Sequence, residues 1–366
     1  LDVARNEITY NALLRASAHN GKWNIALDLL SEMKTTEKIK PDLYSYNTAI
    51  HSLVSGGSLD VAEDLMDEMR QVSIKPNTIT YNTAISVCEK NGDLHSALEF
   101  FDRMKNEGVK QDQITYNAMI STCEKSRDWE RALDFITEMQ QTGVSRSTIT
   151  YNAAISACQK AGEWKKALEI LLKKMPLDNC KPGIISYNAA IAACGMGGQW
   201  LAALTLFEKV GSDELGVKDG VKRDIVTYAS VIHALGIGGQ LELAYDMFER
   251  VRKTFRKPSM VVYNVMAASC ERDSTRGPGI AAKVYRAMKE DKLEPEIYTC
   301  ATLLSTFERA GMTEETEDIE NMLQKLTGGD VINSLDFSDF SNDGLDSGED
   351  YDTGASVAAA HNRDDR

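Results

Sequence analysis

The feature that most constrains this chain is a repeat with a period near 35 residues. A Tyr-Asn pair recurs along the sequence, beginning at Tyr10, Tyr46, Tyr81, Tyr116, Tyr151, Tyr187 and Tyr263. Tyr228-Ala229 and Cys300-Ala301 occupy the same register, so that successive units are separated by 36, 35, 35, 35, 36, 41, 35 and 37 residues. Nine units on one period predict a solenoid, in which each unit buries its apolar surface against its neighbours. The Tyr or Cys that begins each pair is the register residue of its repeat.

Each repeat is predicted to contain two short amphipathic helices. In the third repeat, one helical face is formed by Tyr81, Ala84, Ile85 and Cys88. Asn91-Gly92 ends this helix, and the second helix has an apolar face formed by Ala97, Leu98, Phe101 and Met104. Prolines, which cannot continue a helix interior, separate repeats at Pro41, Pro76, Pro182, Pro258 and Pro295. The predicted fold is an all-α, right-handed superhelical solenoid of helix-turn-helix repeats with a concave face.

The same register predicts the domain organisation. Residues 1–6 are interpreted as the remnant of a preceding repeat, and the chain as a fragment or processed form whose targeting peptide is not visible. The repeat array is expected over residues 7–327, with repeats starting near 7, 43, 78, 113, 148, 184, 225, 260 and 297. Extra residues within 211–220 and 274–279 are assigned to loops.

Charge is concentrated at the carboxyl end. Residues 328–366 contain ten Asp or Glu and two Arg, a net charge of −8 within a total of −14. This segment is rich in Gly, Ser and Asp and is predicted to be a disordered acidic tail. The overall charge argues against binding to polyanions or anionic membranes by bulk attraction, although it leaves room for a locally basic groove. No apolar run reaches the 18 residues typical of a membrane span.

The repeated core reads (I/V)-(T/S)-Y-N-x-x-I-x-x-C-x-K-x-G-x-(W/L)-x-x-A-L-x-(L/F)-(L/F/I)-x-x-M, and the repeats end in K-P-D or close variants. Over residues 7 to about 326, this pattern resembles the pentatricopeptide repeat family, in its P-type form without a catalytic domain. The resemblance implies a single-stranded RNA-binding protein of mitochondria or chloroplasts, with one base per repeat. It implies a monomer that is not an enzyme, has no cofactor and acts in transcript stabilisation, processing or translation.

The resemblance also assigns base-reading residues. In each repeat, the Asn after the register Tyr reads a base together with the last residue of the repeat. The pairs are Asn11 with Asp42, Asn47 with Asn77, Asn82 with Asp112, Asn117 with Ser147, Asn152 with Gly183, Asn188 with Asp224, Ala229 with Ser259 and Asn264 with Glu296. Asn with Asp favours U, Asn with Asn favours C and Asn with Ser leans to C, so the implied target is the pyrimidine-rich strand 5′-U-C-U-C-N-U-N-N-3′. Gly183, Ala229 and Ala301 depart from the pattern and predict poor reading in repeats five, seven and nine.

Two further sets of positions follow from the resemblance. The residue two before the register residue stacks on bases, and it is Ile8, Tyr44, Ile79, Ile114, Ile149, Ile185, Val226, Val261 or Tyr298. The residue nine after the register residue contacts phosphate, and a cation is present there as Lys90, Lys125, Lys160, Arg272 and Arg309. The other repeats have His19, Ser55, Met196 and Ile237 instead. Alternatively, these cations only complement the dipole at the end of a helix. A broken series of cations predicts modest, salt-sensitive affinity.

The sequence offers little support for other chemistry. Cys88, Cys123, Cys158, Cys194 and Cys270 all lie seven residues after the register Tyr, so they are interpreted as one core position rather than a metal site. No Cys-x-x-Cys spacing occurs, and the acidic tail lacks the spacing of a calcium loop.

Two alternatives remain open. The acidic balance and the incomplete cation series also fit a helical-repeat scaffold for protein–protein interaction, as in tetratricopeptide repeats. A third reading makes the chain the RNA-binding arm of an enzyme whose catalytic domain lies elsewhere. The acidic tail is a candidate contact for a protein partner.

Overall fold

In the computed structural model, the described residues are 6–36, 39–211, 221–255 and 259–327. They form helices and turns, with no β-strand among them. The predicted acidic tail, residues 1–5, most of the 211–220 insertion and Pro258 lie outside the described residues. The chain divides into two compact units, Leu1–Ala157 and Cys158–Arg366.

Unit 1 is a series of helix pairs. In chain order its helices are α1 (Glu7–His19), α2 (Trp23–Thr35), α3 (Leu43–Ser52), α4 (Leu59–Gln71), α5 (Thr78–Asn91), α6 (Leu94–Asn106), α7 (Gln113–Lys125), α8 (Trp129–Gln141) and α9 (Thr148–Lys160), of which the last contains the unit boundary. A short 3₁₀ turn, Leu53–Ser55, extends α3. Each odd-numbered helix contains a register Tyr and is the first helix of its repeat.

Unit 2 continues the same plan. Its helices are α10 (Trp164–Glu169), α11 (Met175–Leu177), α12 (Ile184–Met196), α13 (Trp200–Lys209), α14 (Ile225–Ile237), α15 (Leu241–Thr254), α16 (Met260–Glu271), α17 (Gly277–Glu290), α18 (Ile297–Ala310) and α19 (Thr313–Thr327). A π-helical turn, Ile170–Lys174, joins α10 to α11. The predicted all-α, helix-turn-helix plan is confirmed.

The apolar faces read from the sequence form the core. Tyr81, Ala84, Ile85 and Cys88 of α5 are all fully buried, as is Met104 of α6. Helix α5 ends where Gly92 adopts a left-handed conformation with φ of 69°, which favours glycine because it has no Cβ. Period-3.6 patterning and a glycine stop therefore account for the first helix and its turn.

The hydroxyl end of the register Tyr joins adjacent repeats. Tyr46 Oη donates to the Glu68 carboxylate at 2.9 Å, and Lys34 of the preceding repeat contacts the same carboxylate at 2.6 Å. Tyr116, Glu138 and Lys105 repeat this arrangement at 3.0 and 2.7 Å. Burial and the neighbouring carboxylate raise the pKa of Tyr46. The ring of the register Tyr thus packs in the core while its hydroxyl binds a salt-bridged acid at the repeat junction.

The π-helical turn explains a detail of the spacing. The second helical segment of repeat five runs from Trp164 to Leu177, whereas α8 runs from Trp129 to Gln141 and is one residue shorter. A π turn inserts one residue into a helix without ending it. The extra residue between Tyr151 and Tyr187 is accommodated there rather than in a loop. In the described part of the chain, no helix combines the length and apolar character needed to cross a bilayer.

Candidate nucleic-acid interface

The Asn after each register Tyr lies in the first helix of its repeat, one position beyond the buried Tyr. Asn82 is 8% exposed, and the other six are half-buried: Asn11, Asn47, Asn117, Asn152, Asn188 and Asn264. A half-buried amide in a helix requires local hydrogen-bond partners, because an unpaired polar group costs free energy when buried.

A hydroxyl from the next repeat supplies that partner. The Ser or Thr directly before a register residue donates to Oδ1 of the Asn in the preceding repeat. The contacts are Ser45–Asn11 at 2.8 Å, Thr80–Asn47 at 2.7 Å, Thr115–Asn82 at 2.6 Å, Thr150–Asn117 at 2.7 Å and Thr299–Asn264. In five repeats, the Asn oxygen therefore accepts a hydrogen bond from the first helix of the next repeat.

The second residue of each predicted pair is the N-cap of the following first helix. Asp42, Asn77, Asp112 and Asp224 each accept a hydrogen bond from the backbone N–H three residues later. Asp, Asn and Ser are the preferred N-cap residues, and Gly is tolerated there. The residue types read as a base code therefore also have a structural cause, which the sequence pattern did not reveal by itself.

Several predicted pairs meet directly. Asn82 Nδ2 donates to Asp112 Oδ1 at 3.0 Å, Asn188 Nδ2 to Asp224 Oδ1 at 3.1 Å, and Asn264 Nδ2 to Glu296 at 3.4 Å. The pairs Asn11–Asp42, Asn47–Asn77 and Asn117–Ser147 are bridged by the intervening hydroxyl instead. Asn152 lies on α9 in unit 1, and Gly183 caps α12 in unit 2.

The predicted stacking residues are unusually exposed for apolar side chains. The exposed fractions are 77% for Ile8, 47% for Tyr44, 60% for Ile79, 54% for Ile114 and 45% for Ile185. Ile149, Val226, Val261 and Tyr298 are half-exposed. Each lies three residues before the reading position, so the apolar side chain and that position share a helical face. Apolar or aromatic side chains that are exposed or half-exposed therefore recur at this one position of every repeat.

One surface pocket contains both kinds of residue. It has a volume of about 520 Å³ and is lined by Ile8 and Asn11 of repeat one and by Tyr44 of repeat two. Arg15 and His19 also line it. Arg15 lies five residues after the register Tyr, and the resemblance does not identify it because the resemblance places phosphate contacts at the ninth position.

The predicted phosphate-binding cations lie at the carboxyl ends of first helices, next to acidic residues. Arg309 Nη2 lies 3.4 Å from Glu271 of the preceding repeat, and Ser305 Oγ donates to the same carboxylate at 3.1 Å. Lys125 likewise interacts with Glu89, whose pKa is raised by burial despite a hydrogen bond with Ser121 and the nearby lysine charges. Lys90, Lys160 and Arg272 occupy the corresponding helix ends.

Five of the cysteines occupy one buried core position that recurs between repeats. Cys88, Cys123, Cys158, Cys194 and Cys270 are fully buried, and burial raises the pKa of the Cys88 thiol to about 12. Across the described residues, no three His, Cys, Asp or Glu side chains cluster in a way that would hold a metal ion.

Models of known protein families match most of the repeat array. The PPR repeat family model matches residues 5–55, 76–125 and 111–160, and the pentatricopeptide repeat domain model matches residues 35–91 and 214–271. A further PPR repeat model matches residues 149–175 and 185–214. The chain belongs to the pentatricopeptide repeat family.

Two relatives from Arabidopsis thaliana share short segments with this pentatricopeptide repeat chain. Small ribosomal subunit protein mS78 (rPPR3a) is 38% identical over 68 residues, covering 19% of this chain and 17% of that protein. A chloroplastic pentatricopeptide repeat-containing protein is 32% identical over 69 residues, covering 19% of this chain and 14% of that protein. The matches therefore span less than a fifth of either relative.

A solved structure extends the similarity over nearly the whole chain. The pentatricopeptide repeat protein PPR10 from maize has a TM-score of 0.55 and 24% identity, covering 98% of this chain and 53% of PPR10. At this identity, the similarity establishes a shared fold.

Two pentatricopeptide repeats lack the Asn amide to which the resemblance assigns base reading. Ala229 and Ala301 occupy the position after the register residue and are 4% and 8% exposed. Neither side chain can donate or accept a hydrogen bond. Repeats seven and nine thus differ chemically from the seven repeats that have Asn.

Proposed function

We propose that this pentatricopeptide repeat protein binds single-stranded RNA in a sequence-specific manner, with one base per repeat. The observation that carries the proposal is the repeated juxtaposition of an oriented Asn amide and an exposed apolar side chain on one face of the first helices. Unstacked RNA bases are typically recognised by stacking combined with hydrogen bonds to their edges. A peptide groove has no need of an amide at this fixed interval.

The pocket at repeat one supports a stacking arrangement. Ile8 and Tyr44 come from successive repeats, and both expose much of their side chain beside Asn11. A base placed between the two apolar side chains would have its edge near the amide. Arg15 and His19 would lie close to the backbone of the same nucleotide.

Atom by atom, Asn82 and Asp112 favour U. Asp112 Oδ1 accepts from the Thr115 N–H at 2.9 Å and from Asn82 Nδ2 at 3.0 Å, which leaves Oδ2 as an acceptor for a ligand. Asn82 Nδ2 retains a second N–H. Uracil presents an N–H at N3 flanked by carbonyl oxygens, so it complements one acceptor and one donor.

The pair Asn47 and Asn77 favours C by the same reasoning. Asn77 Oδ1 accepts from the Thr80 N–H at 3.0 Å, so its Nδ2 is the group left for a ligand. Asn47 Oδ1 is occupied by the Thr80 hydroxyl. Two amide donors complement cytosine, whose N3 is an acceptor beside a carbonyl oxygen.

The proposed target is therefore 5′-U-C-U-C-N-U-N-N-3′, read by the residue pairs assigned above. Gly183, Ala229 and Ala301 make repeats five, seven and nine weak readers. Family membership and the chloroplastic relative support a role in mitochondrial or chloroplast RNA metabolism, through transcript stabilisation, processing or translation. In this proposal the described repeats bind RNA and perform no reaction.

Fluorescence-anisotropy binding tests the proposal. A labelled RNA carrying U-C-U-C-N-U-N-N is compared with a purine-rich RNA of equal length at low and near-physiological salt. We expect tighter binding of the pyrimidine strand at both salt concentrations. Equal, weak binding that disappears with salt would contradict base reading and would favour the protein-interaction scaffold.

Asp112→Asn tests the code at one repeat. Asn and Asp are equally good N-caps, so the helix start is retained while an outward acceptor becomes a donor. We expect the preference of repeat three to move from U toward C, by about 1 to 3 kcal/mol. The measurement compares RNAs that differ only at that base. An unchanged preference would remove repeat three from the readout.

A further inference from the structure

We infer that, in five repeats, the Ser or Thr directly before the register residue is a positioning residue, which orients the base-reading Asn of the preceding repeat and so determines how strictly that preceding repeat discriminates between bases. The inference rests on the proposed function. We name these residues the clamp hydroxyls: Ser45, Thr80, Thr115, Thr150 and Thr299.

The clamp hydroxyls cannot read bases themselves. All five residues have 0% exposure, so any effect on RNA must pass through another side chain. Their contacts to Asn Oδ1 join residues 33 to 35 positions apart, between consecutive repeats. The reading amide of one repeat is therefore held by the next repeat.

In repeat three, the Thr115 hydroxyl has one proton, and its acceptor determines how the Asn82 amide is fixed. Thr115 Oγ1 accepts from the Asp112 N–H at 3.1 Å and has a single proton to donate. That proton has Asn82 Oδ1 at 2.6 Å and Asp112 Oδ1 at 3.0 Å as acceptors. Because Asp112 Oδ1 already accepts two N–H groups, the proton is assigned to Asn82.

A rotated Asn82 amide would be unfavourable. Its oxygen would then lie where Nδ2 now lies, 3.0 Å from Asp112 Oδ1, and two acceptors would face each other. The Thr115 hydroxyl and the Asp112 carboxylate therefore select the same orientation. In this orientation the amide offers an N–H, not an oxygen, to a base.

Repeat six provides a natural exception. Thr227 is fully buried and makes the same capping contacts, donating to Asp224 Oδ1 at 2.8 Å and accepting from its N–H at 3.1 Å. It makes no hydrogen bond with Asn188, whose Oδ1 is buried and has no partner among the described residues. Among the described residues, the side-chain amide of Asn188 is therefore held by its contact with Asp224 alone.

The test compares Thr115→Val with Thr227→Val in the full chain. Both substitutions remove a capping hydroxyl, but only Thr115→Val removes a clamp. Anisotropy titrations use RNAs that differ only in the base assigned to repeat three or repeat six. We expect Thr115→Val to lower the preference for U over C at repeat three by about two- to tenfold, in line with one net hydrogen bond. Thr227→Val should leave the preference at repeat six unchanged, and Thr115→Ser should retain the wild-type preference.

A measurement without RNA separates this inference from the proposed function. Hydrogen exchange of the Asn82 side-chain amide, followed by NMR on the labelled protein, should accelerate in Thr115→Val and not in Thr115→Ser. Unchanged exchange in Thr115→Val would overturn the clamp whether or not RNA binds. Equal losses of preference in Thr115→Val and Thr227→Val would also overturn it, because capping alone would then explain both. A wild-type protein with no base preference at repeat three would overturn the proposed function, while the exchange result would still report on the clamp.

Discussion

Two regions of the molecule pack their first helices through different contacts. One region is repeats three and four in unit 1, and the other is repeats six and seven in unit 2. Eight residues after the register Tyr, unit 1 has Glu89 and Glu124, and Ser156 Oγ of the next repeat donates to Glu124 at 2.7 Å. At the same position, repeats six and seven have Gly195 and Gly236, whereas repeat eight of unit 2 has Glu271. One region joins its helices by polar side chains, and the other by close approach of the helices themselves.

The close approach in unit 2 is visible at both glycines. A Cβ at Gly195 would lie 2.9 Å from Ala234 Cβ, and a Cβ at Gly236 would lie 2.1 Å from Ser269 Oγ. The next residues, Met196 and Ile237, are apolar, whereas Lys90 and Lys125 follow the glutamates of unit 1. Asn follows the register Tyr in repeats three, four and six, so the repeat tolerates two ways of stacking while keeping an amide at this position. Of these four repeats, only three and four have a cation at the position that the resemblance assigns to phosphate, and repeats five, eight and nine have one as well.

Gly236→Ala tests the close approach and has the largest expected effect. Ser269 is buried and its Oγ already donates to the Val265 carbonyl at 2.8 Å, so it cannot move away without losing that bond. Overpacking of this kind costs about 1 to 3 kcal/mol. Thermal unfolding should show a lower Tm, by about 2–4 °C for each kcal/mol.

Two controls sharpen this prediction. Gly279→Ala places a Cβ in open space within α17 and should be neutral or slightly stabilising. Glu124→Ala removes the Ser156 contact at the equivalent position of unit 1 and should cost less than Gly236→Ala. If Gly236→Ala unfolds at the wild-type temperature, the two regions do not differ in packing as described.

Local features of the fold could be predicted from the sequence, whereas contacts between repeats could not. Period-3.6 patterning is a local property, so the buried face of α5 and the turn at Gly92 could be read directly. The clamp hydroxyls were visible as a recurring Ser or Thr, but the partner of Thr115 lies 33 residues away and depends on how two helices stack.

Other features were missed because one residue has two roles. The family pattern assigns Asp112 only a base contact, although Asp112 is also the N-cap of α7. The family pattern identifies Ile237 only as a position without a cation, whereas the preceding Gly236 brings α14 close to Ser269 of α16. The π-helical turn of repeat five left no signal beyond one extra residue in the spacing.

Removing a cation from repeat four and adding one to repeat six tests whether the ninth position after the register Tyr contributes to RNA affinity. Lys125→Gln in unit 1 should weaken RNA binding a few-fold and reduce the salt slope by about 0.7, the value for one phosphate contact on a single strand. Met196→Lys places a cation at the corresponding helix end in unit 2, where the Met side chain is 51% exposed, and should increase the slope by a similar amount. The measurement is anisotropy binding over a salt series.

Lys165→Gln is the charge-matched control for this exchange. Lys165 is exposed on α10, a second helix, and has no assigned phosphate contact. Its replacement should leave the salt slope unchanged. If all three substitutions change the slope only according to net charge, the cation positions on the first helices have no special role.

The smallest expected effect concerns the acid beside the cations of unit 1. Burial raises the pKa of Glu89 above its usual value of 4.5, and the residue interacts with Lys90 and Lys125. A phosphate bound at these lysines would raise this pKa further, because it adds negative charge near the carboxylate. RNA binding would then be linked to proton uptake, and affinity should increase as the pH falls from neutrality toward the raised pKa. The same sign applies to folding: the protonated side chain favours the folded state, and this contribution is lost as the pH rises through the folded-state pKa.

Glu89→Gln should therefore bind RNA a few-fold more tightly at neutral pH and show a weaker dependence on pH, as measured by anisotropy between about pH 5 and pH 8. Glu130→Gln removes an exposed carboxylate from α8, a second helix, and should retain the wild-type pH profile. If wild type and Glu89→Gln show the same dependence of RNA affinity on pH, no RNA phosphate binds close to the Glu89 carboxylate. Lys90 and Lys125 would then complement the dipoles of their helices and not contact RNA. Repeats three and four would differ from repeats six and seven only in how their first helices pack.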